Sequence, residues 1–242
     1  MKLSGRAALV TGAGHRVGRA LAVALGGEGM NVAVHYNRAA AEADETLQLI
    51  QRAGGKAHSF GFDLLDPEAP SHLINAVVKE FGALHVLVNS AAVMKRHPFG
   101  SVTTADWDET MSLNLRAPFF IAQAAAAAMS DGGAIVNISD LAAFETWPSY
   151  VPHSISKAGI VKMTEGLARV LAPAIRVNAI APGAVLLPDD WGERTGERLS
   201  DTTPLRRLGD PQDVVDAMLY LLRADYVTGE TIIVDGGRRI RK

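Results

Sequence analysis

The feature that most constrains this chain is a glycine-rich turn near its start, Thr11-Gly12-Ala13-Gly14-His15-Arg16-Val17-Gly18. The apolar run Ala7-Ala8-Leu9-Val10 precedes it and reads as a buried strand. The apolar-rich stretch 17–25 follows and reads as a helix. Strand, tight glycine turn and helix N-terminus together make an anion site. The glycines let the backbone approach a phosphate, and the unpaired N–H groups and the helix dipole favour negative charge. In this strand–turn–helix setting the pattern points to a dinucleotide rather than to an ordinary turn.

The rest of the chain repeats the same alternation. Short apolar runs at 7–10, 31–35, 57–60, 84–89, 134–138, 176–180 and 231–234 read as strands, and most gaps between them are long enough for a crossover helix. Regular βαβ alternation predicts an α/β fold: one doubly wound, Rossmann-type domain over 1–242, its seven-stranded parallel sheet covered by helices on both faces. Right-handed crossovers then put the ligand crevice at the C-terminal ends of the strands. Asp66-Pro67-Glu68 and Asp210-Pro211-Gln212 each read as a capping acid before a first-turn proline. The alanine run 124–128, flanked by Phe119, Phe120, Ile121 and Met129, predicts a helix packed closely on a neighbour. One long irregular segment, 184–204, mixes Leu186-Leu187-Pro188 with Asp189-Asp190-Trp191 and reads as a substrate lid.

Composition narrows the chemistry. The 242 residues suit one large domain, and the absence of cysteine excludes disulfides, thiol nucleophiles and cysteine-ligated metals. No metal site is expected. A formal charge of −2 with no evident basic face gives no reason to expect a nucleic-acid partner. Met1 to Arg6 lead straight into the first strand, and no apolar stretch is long enough for a bilayer. A cytoplasmic protein without a signal peptide or membrane partner is expected.

The second strand identifies the cofactor. Selecting the form without a 2′-phosphate takes an acid at that strand's end to bind the ribose hydroxyls. Here the chain reads His35-Tyr36-Asn37-Arg38, and the first acid is Glu42. The missing carboxylate removes a repulsion, and Arg16 and Arg38 offer guanidinium groups to a phosphate dianion. NADP(H) is therefore expected over NAD(H). Asp63, at the end of the third strand, suits an adenine hydrogen bond and equally suits a turn.

These residues resemble the short-chain dehydrogenase/reductase family, whose turn reads Thr-Gly-x-x-x-Gly-x-Gly. Arg16 replaces the middle glycine and, with His35-Tyr36-Asn37, is similar to the pteridine reductase and dihydromonapterin reductase branch. The resemblance covers essentially the whole chain. Asn89-Ser90-Ala91-Ala92 stands where the family has Asn-Asn-Ala-Gly, the turn along the cofactor. Asn114 matches the helix asparagine that holds a proton-relay water, and Pro182-Gly183 matches the turn beside the nicotinamide. Val227-Thr228-Gly229 and Val234-Asp235-Gly236-Gly237 match the usual ending. The resemblance thus implies cofactor contacts at Gly12, Gly14, His15, Arg16, Val17 and Gly18, at His35 to Arg38, at Asp63 and Leu64, and at Asn89, Ser90 and Ala91. Lys157, Pro182 and Gly183 complete that set.

The catalytic segment departs from the family. A serine, a tyrosine thirteen residues later and a lysine four further on are its pattern; here those positions hold Asp140, His153 and Lys157, with Ser139 beside the aspartate. The aspartate is itself a feature of the pteridine reductase branch. Reducing a carbonyl or imine needs a hydride and a proton on the heteroatom. Tyrosine supplies that proton once a lysine ammonium lowers its pKa from ~10, and an i, i+4 spacing keeps both on one helix face. Imidazole titrates near ~6.5 as a free side chain and is also shorter than phenol. Losing a positioned acid costs 10²- to 10⁴-fold, or ~3–5.5 kcal/mol of barrier. Three accounts follow: His153 is the acid, with Asp140 completing a relay; Tyr150 substitutes for it; or catalysis is lost and cofactor binding kept, leaving a sensor or partner subunit.

The branch sandwiches a pterin between nicotinamide and an aromatic residue, where this chain has Val93-Met94. A pterin is implied by resemblance, with a ketone, quinone or 3-oxoacyl thioester left open. Met94, Tyr150, Trp147 and Trp191 are candidate pocket residues. Family members usually assemble as homotetramers through the long helices, and the alanine-rich face suits such packing.

Overall fold

The computed structural model describes residues 1–145, 147–187 and 192–240. Among the described residues seven strands form one parallel sheet: β1 (Ala7–Val10), β2 (Asn31–Tyr36), β3 (Lys56–Gly61), β4 (Val86–Asn89), β5 (Gly133–Ile138), β6 (Ile175–Pro182) and β7 (Thr231–Val234). Their order is β3-β2-β1-β4-β5-β6-β7. Strands covered on both faces read as continuous aliphatic runs, and β1 and β4 are buried along their whole length. The edge strand β3 instead alternates between exposed and covered residues.

Helices α1 (Arg16–Gly27), α2 (Ala40–Arg52), α3 (Ala69–Phe81), α4 (Thr104–Met111), α5 (Ala117–Ala128), α6 (Val151–Leu171), α7 (Gly192–Thr202) and α8 (Pro211–Arg223) connect or follow them. A five-residue π-turn, Ser112–Arg116, joins α4 to α5. Two aliphatic layers hold the sheet. One packs Leu21, Leu25, Val214 and Met218 of α1 and α8; the other packs Leu73, Val77, Ile121 and Ala125 of α3 and α5. The small Ala122 and Ala125 are buried in the second layer, as the alanine run predicts. β1 pairs with both β2 and β4, so the strand order reverses there and opens the crevice at the ends of β1 and β4.

Two local expectations differ. Helix α3 begins at Ala69 with Pro70 in its first turn, while Asp66 closes the preceding turn by accepting the Glu68 N–H at 3.0 Å. The acid–proline pair at 66–67 is thus a turn, whereas Asp210 does cap α8, accepting the Gln212 N–H at 2.8 Å. The segment 184–204 is not irregular throughout, because α7 occupies 192–202. Its sequence carries only one aliphatic residue, Leu199, which is buried; so polar a helix shows no apolar period to read. Residues 188–191, including Trp191, lie outside the described residues.

Candidate active site

The glycine turn after β1 is packed too closely against neighbouring backbone to carry side chains at Gly12 and Gly18. Gly12 sits at φ +65°, and a Cβ there would come within 2.8 Å of Ala91 Cα; one on Gly18 would strike the Gly12 carbonyl oxygen at 2.2 Å. No side chain fits at either position. Thr11 ties this turn to the next, its Oγ1 accepting the N–H groups of Ser90 and Ala91 at 2.9 and 3.1 Å. His15 and Arg16 are exposed and Val17 half-buried at the start of α1. Arg16 is left-handed at φ +54°, a conformation that glycine adopts without strain. Its guanidinium donates to the carbonyls of Leu186 and Leu187, so it bridges the cradle to the segment after β6.

His35 is not a surface contact. It lies inside β2, buried, with Nδ1 accepting the Gly12 N–H at 3.1 Å and Nε2 donating to the Phe62 carbonyl at 3.0 Å. Burial pushes its pKa down to about 4, so the neutral ring acts as a brace beneath the cradle. Tyr36 lies over Gly61, where a Cβ would meet its ring at 3.0 Å, and Asn37 and Arg38 are exposed at the strand's end. Asp63 is exposed and serves the turn, its Oδ1 accepting the Leu65 N–H at 3.0 Å. Leu64 is buried in the α3–α5 layer, so its side chain faces the core and not a ligand. Asn89 is corrected likewise: its amide donates to Asn137 Oδ1 at 2.9 Å, and Asn137 donates to Thr164 Oγ1, pinning β4, β5 and α6 together. The family resemblance implies cofactor contacts at His35, Leu64 and Asn89. The register decides instead that their side chains turn inward. Pro182 ends β6 and Gly183 follows it, backing so closely onto Asp235 that a Cβ would lie 2.9 Å from its Cα.

The catalytic candidates converge. The π-turn places Asn114, buried, against the segment after β4. Its Oδ1 accepts the Val93 N–H at 2.8 Å, and its Nδ2 donates to the Val93 carbonyl at 2.9 Å and to Ser156 Oγ at 3.2 Å. Its Nδ2 also lies 3.4 Å from His153 Nδ1, so the side chain ties the loop and α6 to the catalytic histidine candidate. Gly159 lets α6 come this close, since a Cβ there would press on Leu115 at 2.7 Å.

On α6, His153 and Lys157 are both buried, one turn apart. His153 Nδ1 lies 3.2 Å from the Val93 carbonyl oxygen, which the network assigns as an N–H donated to that oxygen. The other ring nitrogen, Nε2, is buried with no hydrogen-bond partner and faces Asp140 Oδ2 at 3.7 Å. Asp140 uses its second oxygen, Oδ1, to accept the Ala142 N–H at 2.7 Å and cap the turn 141–143. The capping role and the site role are thus carried by one carboxylate. Lys157 Nζ donates to the Ile138 carbonyl at 2.9 Å, and burial pushes its pKa down to about 8 against the opposing pull of Asp140. Ser139 Oγ donates to the Lys157 carbonyl at 3.0 Å. Tyr150 begins α6 with its ring edge-on to Trp147 at 6.1 Å, and Met94 is half-buried beside Val93.

Sequence reasoning misses Ser156, and the roles of Val93 and Ser139, which it names only as neighbours. Val93 acts through its backbone, which carries no sequence signal, and the two serines act through contacts that only the α6 packing creates. Among the described residues no cluster of three or more His, Asp or Glu side chains is placed to hold a metal ion. No described helix is long and apolar enough to cross a membrane.

A glycine cradle at the β1–β4 switch point and a buried His–Lys pair on the helix after β5 define a dinucleotide-dependent oxidoreductase architecture. The family model described as Enoyl-(Acyl carrier protein) reductase matches residues 12–239, and the chain belongs to the short-chain dehydrogenase/reductase family. It is 36% identical over 246 residues to glucose 1-dehydrogenase 2 of Bacillus subtilis, covering 97% of this chain and 95% of that protein. It is 33% identical over 244 residues to the 3-oxoacyl-[acyl-carrier-protein] reductase FabG of Staphylococcus aureus, covering 98% and 99%. Among solved structures it superposes on FolM alternative dihydrofolate reductase 1 from Brucella canis, complexed with NADP, with a TM-score of 0.94. There the identity is 29%, and 100% and 96% of the two chains are covered.

Proposed function

We propose that this protein is an NADPH-dependent reductase of a small carbonyl or imine compound, with His153 as the proton donor. The observation that carries the reading is the buried, unpartnered Nε2 of His153 facing Asp140 at 3.7 Å, one helical turn before Lys157. With Nδ1–H committed to the Val93 carbonyl, Nε2 is the ring atom left to exchange a proton. Asp140 Oδ2, at 3.7 Å, is the group that this nitrogen faces, so the pair is arranged to pass a proton.

The residues fit the cofactor. A glycine turn leading into the N-terminus of α1 suits a pyrophosphate, and the exposed Arg38, with no acid beside it, suits a 2′-phosphate. When bound, NADPH supplies the hydride. The chain's own part is to add a proton from His153 Nε2 to the substrate heteroatom, with Asp140 holding the imidazolium and reaching solvent for its recharging. Lys157, cationic at neutral pH, is placed for the nicotinamide ribose. Between substrates, the resemblance to FabG favours a ketone and the resemblance to FolM a pterin. The Val93-Met94 pair offers no aromatic platform, so a ketone is the first choice. The exposed Phe119 and Phe120 of α5 and Ile155 of α6 support self-association through these helices, to a homotetramer.

The test is NADPH consumption by the parent and His153→Tyr between pH 5 and 8, with 3-oxoacyl thioesters, diketones and dihydropterins. Turnover by the parent is expected. Turnover only by the tyrosine variant would overturn the assignment of His153 and leave a binding protein. Sedimentation of a monomer would refute the assembly.

A further inference from the structure

The turn after β3 is held from two sides, and the second hold is an arginine from a distant part of the chain. On one flank, His35 Nε2 donates to the Phe62 carbonyl at 3.0 Å. Inside the turn, the Asp63 side chain accepts the Leu65 N–H at 3.0 Å, and its backbone carbonyl accepts the Asp66 N–H at 3.0 Å. On the other flank, Arg116 Nη2 donates to the Leu65 carbonyl at 2.7 Å, across 51 positions of sequence. Arg116 ends the π-turn that carries Asn114 two residues earlier. Residues two apart on a helical turn point to opposite sides. One turn of chain therefore grips Val93 and Ser156 with Asn114, and the β3–α3 connection with Arg116.

We propose that Arg116 is a positioning residue of the cofactor site: it fixes the Asp63–Leu65 turn as the wall for the adenine ring without touching the ligand. This rests on the dinucleotide reading above and adds to it that affinity for the adenosine half depends on the π-turn. The physical basis is that Asp63 carries out two tasks. Its Oδ1 is spent on the Leu65 N–H, which leaves Oδ2 to receive an adenine amino group. The direction of that oxygen is only as fixed as the turn. His35 anchors the turn before Asp63 and Arg116 anchors it after. A guanidinium donor makes a stronger hydrogen bond to a carbonyl than a neutral donor does. With Arg116 removed, the internal bonds of the turn and the buried Leu64 still hold it and the chain still folds, but the Leu65 carbonyl loses its charged donor.

The experiment is fluorescence or calorimetric titration of the whole protein, as parent, Arg116→Ala and Arg116→Lys. Three probes are used: NADPH, 2′,5′-ADP for the adenosine end, and reduced nicotinamide mononucleotide for the other end. Arg116→Ala is expected to weaken NADPH and 2′,5′-ADP alike, by ~10-fold, or ~1.4 kcal/mol. The mononucleotide should bind unchanged, and Arg116→Lys should recover part of the loss. Unchanged binding of 2′,5′-ADP by Arg116→Ala would overturn the inference, as would an equal loss for the mononucleotide. A parent that binds neither NADPH nor 2′,5′-ADP would refute the dinucleotide reading itself, and this inference with it.

Discussion

Acidification should destabilise this protein through a single buried ring, His35. Its neutral form joins the Gly12 N–H to the Phe62 carbonyl, and protonation would set a new N–H on Nδ1 against the Gly12 N–H, donor against donor. Burial lowers its pKa in the folded state to about 4, partly opposed by the Phe62 hydrogen bond and by Asp63. In the unfolded chain an imidazole titrates near ~6.5. Between these values the unfolded state binds one more proton, so stability falls as pH falls, with a slope approaching ~1.4 kcal/mol per pH unit. The full effect is present above pH ~6.5 and lost by about pH 4, some 3 kcal/mol in all. For a chain of this size that corresponds to roughly 6–12 °C in Tm. The assay is urea unfolding of the parent and His35→Asn at several pH values from 7.5 to 4.5. Titrations common to both proteins cancel in the difference, so the parent should lose up to about 3 kcal/mol relative to the variant across the window. Parallel stability curves would refute the reasoning and show that His35 does not brace the cradle as a neutral ring.

Three further outcomes are expected. Lys157, with its pKa pushed down to about 8, should lose its ammonium as pH rises through that value, and NADPH-dependent turnover should fall with it. Because its folded pKa lies below the unfolded one, stability should rise between pH 8 and 10.5, a rise that thermal unfolding of Lys157→Met should lack. Arg38→Ala should raise the Kd for NADPH by about tenfold and leave that for NADH unchanged, since only the former has a phosphate to pair with a guanidinium. Asn137→Leu should destabilise the fold by roughly 1–3 kcal/mol in urea unfolding, because the Asn89 amide and the Thr164 hydroxyl lose their buried partner.

The alternation of aliphatic runs with helical stretches determined a parallel, doubly wound sheet, and every one of its seven strands lies where such a run falls. These signals are local: a strand buried on both faces must be aliphatic, and a backbone at φ +65° with Ala91 against it must be glycine. The spacing of His153 and Lys157 likewise places both on one helix face before any fold is known. Tertiary structure alone decided where side chains at strand ends point. His35 and Asn89 look like ligand contacts in sequence and are internal braces in three dimensions, because sheet register and the neighbouring layer supply their partners from Gly12, Phe62 and Asn137. The tertiary structure also decided that Val93, through backbone atoms that no sequence encodes, joins Asn114 to His153, and that Asp140 offers one oxygen to a cap and the other to the ring. Such contacts arise between segments tens of residues apart, and they exist only once packing has brought α6, the π-turn and the end of β4 together.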